Sequence, residues 1–161
     1  MSEPNLHTSS LTRAEKIAKV NAWGKSCVES VIGGVMPDGT IFAGTLPDGE
    51  KLYVAPKNEK IAMTFNEAAE RISKVNEKQK LDHNDWRLPT KEELALLWQN
   101  RDKGALKGTF EDVADVWDYW SSTTTPHSTA SLPVVFVQDL GDGSISHYGT
   151  GVRGVARLVR G

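Results

Sequence analysis

A chain of 161 residues, 39% hydrophobic and 25% charged, has the length and composition of one soluble domain able to bury a real core. Its formal net charge of −2, with Lys and Arg spread along the sequence, excludes a strong field for nucleic acid or an anionic membrane. No apolar run approaches bilayer-spanning length.

The first segment, residues 1–12, is a polar arm without the apolar core of a signal peptide, so the protein is expected to be made in the bacterial cytoplasm and to leave it only as part of a larger particle. Thr12 and Glu15 then form a capping box, and Ile17, Val20, Gly24, Cys27 and Val31 follow at three- and four-residue spacing. This predicts a helix over residues 13–31, separate from a main domain over 32–161. The same stripe fits two short coiled-coil heptads, and the arm and helix together read as an oligomerisation or docking element. Cys27 is the one cysteine, which excludes an internal disulfide and leaves a small buried hydrophobe or an intermolecular contact.

Pro37-Asp38-Gly39 and Pro47-Asp48-Gly49 are matching turn signals beside Thr40–Ala43 and Lys51–Ala55, two short strands of a meander. Thr64 with Glu67 opens a second helix whose apolar stripe is Phe65, Ala68, Ala69, Ile72 and Val75. Thr90 with Glu93 opens a third, with Leu94, Leu97 and Trp98 as its buried face. Tyr119–Thr123, Pro133–Gln138, Ser144–Tyr148 and Val155–Val159 read as strands, with Gly141-Asp142-Gly143 as a hairpin turn. Residues 100–118 and 124–132 are the irregular loops between them. Strands, then two helices, then strands predict an α+β fold with the helices packed on antiparallel sheet.

Three blocks stand out: Asp85-Trp86-Arg87-Leu88-Pro89-Thr90 leading into the third helix, Tyr119-Trp120-Ser121-Ser122-Thr123, and the terminal Ala156-Arg157-Leu158-Val159-Arg160. In that order they resemble the Lcl C-terminal domain family, over about residues 38–161. The resemblance implies a C-type-lectin-like fold, shared at superfamily level with formylglycine-generating enzymes. From the residues themselves, Trp86 and Trp120 are expected to be buried anchors. Arg87 or Arg157 is expected to face inward and to pair with Glu93, because a buried guanidinium calls for a carboxylate.

Three chemistries were weighed on these residues. Formylglycine-type catalysis needs a cysteine pair with copper, and Cys27 is alone. A Ser/His/Asp set from Ser121, Ser122 and Thr123–Thr125 with His127, Asp115 and Asp118 has no nucleophile elbow around any serine, so the hydroxyls are expected to cap turns and pair across strands. His7, His83, His127 and His147 lack ligand spacing, and Asp139-Leu140-Gly141-Asp142-Gly143-Ser144 reads as a hairpin turn rather than a calcium loop, so no metal and no cofactor are expected. The remaining reading is non-catalytic recognition, with Trp117, Tyr119, His127, His147, Tyr148 and Arg153 as the candidate surface for a partner protein or glycan. Joined to the docking arm and the absent signal, this gives the expectation of a phage virion component: decoration, fibre or baseplate protein. The rival expectation is a cytoplasmic enzyme or regulator of formylglycine-generating-enzyme-like fold.

Overall fold

The computed structural model describes residues 12–15, 31–59, 61–110 and 116–161. At its start the Thr12 and Glu15 box forms: the Thr12 amide donates to Glu15 Oε2 at 2.6 Å and the Glu15 amide donates to Thr12 Oγ1 at 3.3 Å. The arm, the rest of the expected first helix and Cys27 lie outside the described residues. Val31, expected to close that helix, instead sits in an exposed bend.

Strands β1 (Ile41–Thr45) and β2 (Lys51–Val54) form the expected antiparallel pair. Asp38 and Asp48 shape the two flanking turns, each accepting through Oδ1 from the backbone two residues on, at Thr40 and Glu50. Helix α1 (Phe65–Glu77) and helix α2 (Lys91–Asn100) begin at complete capping boxes, Thr64/Glu67 and Thr90/Glu93. Strands β3 (Asp118–Thr124), β4 (Val134–Asp139) and β5 (Ile145–Gly149) make a second antiparallel sheet in the order β3-β4-β5. A two-residue β6 (Val159–Arg160) completes the first sheet in the order β1-β2-β6. The fold is α+β, with two three-stranded antiparallel sheets.

The last strand departs from expectation. Residues 155–159 read as one continuous strand, yet only Val159–Arg160 join a ladder. The rest of the stretch changes neighbour at nearly every step. Gly154 exchanges amide bonds with Met63, and Val155 bridges Tyr119 in parallel. The Ala156 and Leu158 carbonyls accept from the Glu59 and Ala55 amides. Val159 exchanges bonds with Arg87. The segment is extended and apolar because it is a seam between the sheets, satisfying its polar backbone against several segments in turn.

Packing follows the caps and patterns. One apolar cluster joins the first sheet to α2 through Leu52, Val54, Leu94, Leu97 and Val159. A second surrounds Trp120 with Ala68, Val135 and Val137, and a third surrounds Trp86 with Ala55, Val75 and Leu158. Ile72 of α1 touches both tryptophan clusters, so the two anchors belong to one scaffold. Each indole is also tied by its N–H, Trp86 to the Lys80 carbonyl and Trp120 to the Met63 carbonyl, both at 2.8 Å. Two details of the helical stripes differ: Ala69 is exposed, and Trp98 is only half-buried.

The motif residues interlock as hardware. Arg87 donates from Nη1 and Nη2 to the two Glu93 carboxylate oxygens at 2.6 and 2.7 Å. The same Glu93 accepts the Thr90 amide at 2.7 Å, so one buried carboxylate closes the capping box and the ion pair together. The Pro89 carbonyl accepts the Ser122 amide at 2.8 Å, which joins the start of α2 to β3. Arg157 corrects the rule applied to it. It is fully buried and, among the described residues, has no carboxylate partner. Its Nη1 instead donates to Asn58 Oδ1 and the Thr109 carbonyl, its Nη2 donates to Thr109 Oγ1, and its guanidinium lies 4.5 Å from the Phe110 ring centre. Burial pushes this guanidinium down to about 10, against a small upward pull from Tyr119, so it remains charged at neutral pH.

Candidate functional site

The expected recognition surface is dispersed. Tyr119 is fully buried in the core and its hydroxyl accepts from Asn58 Nδ2 at 2.6 Å, so it contacts no ligand from the surface. Its strand position explains this: Tyr119 points into the core cluster that also holds Phe110 and Val155. Trp117, His127, His147 and Arg153 are exposed, and Tyr148 is half-buried with its hydroxyl donating to Asp118 Oδ2 at 3.0 Å. On β5, His147 lies opposite Phe136 and Tyr148 opposite Val135, so these neighbours face opposite sides of the sheet. Trp117 lies beside the 139–143 turn and His127 in the turn after β3. Arg153 lies elsewhere, its Nη1 donating to the Ala62 carbonyl at 2.9 Å.

The hydroxyl-rich stretch serves structure. Ser121 Oγ accepts the Thr123 amide, Ser122 Oγ donates to the Pro89 carbonyl, and Thr123 Oγ1 accepts the Lys91 amide. Asp115 lies outside the described residues. At the proposed turn, Asp139 Oδ1 accepts the Gly141 and Asp142 amides and Asp142 Oδ1 accepts the Ser144 amide, the bonding of a hairpin turn. Among the described residues no group of His, Cys, Asp or Glu is placed to hold a metal ion.

A concave site lies elsewhere, between residues 56–59 and 61–63 on one side and the outer face of α1 on the other. Its main cavity, about 490 Å³, has Pro56, Ile61 and Met63 as apolar lining and Lys57, Arg71 and Lys80 as cations. Glu59 sits at its floor, 4% exposed. Arg71 Nε donates to Glu59 Oε2 at 2.6 Å and Lys80 Nζ donates to Glu59 Oε1 at 3.0 Å. Burial alone pushes the Glu59 carboxyl up, but the bonds and charges from Arg71 and Lys80 outweigh it and hold it below its usual range. Asn58, also lining the cavity, connects this floor to the buried Arg157.

Two smaller cavities continue the groove along α1. One, of about 370 Å³, adds Glu67, Glu70, Lys74 and Arg153, and the other, of about 330 Å³, adds Lys78. Arg71 lines all three. Among the described residues the groove carries six cations against three carboxylates, an excess of three positive charges on a chain whose net charge is −2.

Lys80 reaches Glu59 from a strained turn. Gln79, Leu81 and Asp82 all adopt positive φ, at 48°, 54° and 62°. Asp tolerates the left-handed region, but Gln and Leu do so at a cost of roughly 1 kcal/mol or more each. The turn is held by the Trp86 indole N–H on the Lys80 carbonyl and by Leu81 packing on the Trp86 cluster.

Sequence reasoning missed this groove. Arg71 and Lys74 fall off the apolar stripe of α1 and look, in sequence, like ordinary solvent-facing charges. The available signal was their spacing: Arg71, Lys74 and Lys78 stand at i, i+3 and i+7, one basic face of the helix, followed by Lys80. The partner wall, residues 56–63, lacks any periodic pattern.

The sequence profile described as the Lcl C-terminal domain matches residues 22–160. The match begins earlier than the expected 38 and takes in part of the segment assigned to a separate N-terminal helix. No curated protein matches the chain.

Proposed function

This chain belongs to the Lcl C-terminal domain family, and we propose that it is a non-catalytic recognition module whose contact site is the Glu59–Arg71–Lys80 groove. One observation carries the reading: a buried, doubly paired carboxylate fixes two cations at the rim of a partly apolar cavity, one of them delivered by a strained turn. Fixed charge beside apolar surface binds and orients a ligand. The test is chemical-shift mapping of the labelled chain against a library of glycans, peptides and small organic ions. Saturable shifts confined to groove residues support the reading. Shifts confined to the Trp117, His127 and His147 surfaces, or none with any compound, overturn it.

The wider role in this proposal is the one expected from the sequence, a structural component of a phage virion that works as an oligomer or within an assembly. Size-exclusion chromatography with light scattering checks it, and a strict monomer at all concentrations counts against it. No helix among the described residues is long and apolar enough to cross a membrane.

A further inference from the structure

We propose that the groove selects an organic monocarboxylate with an apolar or ring-shaped body, the carboxylate held by the outer fork of Arg71 and the body lying on Ile61 and Met63. This rests on the recognition reading above and narrows it to a ligand class.

The argument begins with the donors. Arg71 reaches Glu59 through Nε alone, so Glu59 fixes the guanidinium plane while Nη1 and Nη2 make no bond among the described residues. Half of the Arg71 side chain is exposed, and the residue lines all three cavities of the groove. A planar fork held by a partner at its inner edge matches a planar carboxylate at its outer edge. Lys80 uses one bond on Glu59 and Lys74 stands on the same helix face, so further cationic donors flank that position.

The apolar side fixes the rest of the ligand. Ile61 is 66% exposed, a large hydrophobe left in water, and with Met63 and Arg71 it lines the two larger cavities. An apolar body covers it when the charged end is on Arg71. The apolar wall decides against inorganic phosphate, which has no body to cover Ile61. Among the described bonds no nest of backbone amides converges on the site, so phosphate finds no main-chain cradle there.

The experiment titrates the full labelled chain with three probes: phenylacetate, its neutral isostere phenylacetamide, and inorganic phosphate. Phenylacetate is expected to shift the Ile61, Met63 and Arg71 amides and the Arg71 Nε–H resonance saturably, at least about tenfold more tightly than either other probe. Arg71→Lys keeps a charge for Glu59 but removes the fork, and is expected to weaken phenylacetate binding about fivefold or more with the melting temperature nearly unchanged. Lys74→Gln, on the exposed helix face, controls for charge alone and is expected to have the smaller effect. Phosphate binding as tightly as phenylacetate, or an Arg71→Lys variant that binds phenylacetate as wild type does, overturns the proposal. If a neutral glycan or peptide shifts the groove and phenylacetate does not, the carboxylate inference fails while the recognition reading stands. If no compound shifts the groove, both fail.

Discussion

Replacing Glu93 by Ala removes the residue on which the start of α2 depends. Two terms add. The capping box loses its side-chain acceptor for the Thr90 amide, a loss of about 1 kcal/mol. The ion pair also goes. Breaking a fully buried pair costs about 3–5 kcal/mol, but the Arg87 side chain is 39% exposed, so water screens it and the term falls to about 1–2 kcal/mol. The expected destabilisation is therefore about 2–3 kcal/mol, a melting-temperature drop of roughly 5–10 °C for a chain this size. Urea unfolding followed by tryptophan fluorescence measures it, and Arg87→Met completes a double-mutant cycle. The expected coupling is about 1 kcal/mol or more; a coupling below about 0.3 kcal/mol would show that the two residues act independently, and refute the reasoning. Hydrogen bonds to Glu93 hold the Arg87 pKa above its usual value. A cation raised in this way contributes fully below its unfolded pKa, so no loss of the pair from Arg87 titration is expected near neutral pH.

Gly143 has φ +84°, and a Cβ there would overlap the Trp98 indole. Gly143→Ala is expected to lower stability by about 2–4 kcal/mol, and a change under about 0.5 kcal/mol in urea unfolding contradicts the packing described. Burial pushes the Asp118 carboxyl up, Asp139 and Asp142 add to this, and the Tyr148 bond opposes it without prevailing. Its folded form therefore favours the proton, so its charged state opposes folding at neutral pH and this opposition fades as pH falls. Asp118→Asn is expected to be as stable as wild type or up to about 1 kcal/mol more so at neutral pH, and to lose that advantage near pH 4 in parallel denaturation curves. Glu59 behaves oppositely: its depressed pKa means stability present above the usual carboxylate range and lost as pH falls through a lower value. The disadvantage of Glu59→Gln should accordingly shrink in acid, and a disadvantage independent of pH would show that the charge is not what matters. Gln79→Gly relieves one left-handed residue, with an expected gain of about 0.5 kcal/mol after the extra unfolded-state entropy; a loss above about 1 kcal/mol in the same assay would mean that the Gln side chain, not strain, governs the turn.

Local chemistry was the legible part of this sequence. Thr64/Glu67 and Thr90/Glu93 place two helix starts because a cap is decided within four residues. The Arg87–Glu93 pair was readable because both lie beside the same helix start. Residues 155–159 read as one strand because an extended apolar pattern reports burial and not the identity of the neighbour. Tyr119 was misassigned for the same reason: its strand was recognised, but which face met the core depended on β4 and Val155. The groove was hidden further, since Glu59, Arg71 and Lys80 converge only when residues 56–59 fold against α1. Nothing local to Glu59 says that it will be buried.

The seam at 154–160 also bears on synthesis. A nascent chain whose ribosome still covers that stretch can close the β1–β2 hairpin and wind both helices, but Met63, Arg87 and Trp120 then lack the backbone partners that bring the two sheets together. Most of the apolar surface has by then emerged without its final cover, which makes this the interval of greatest exposure to chaperones and to aggregation.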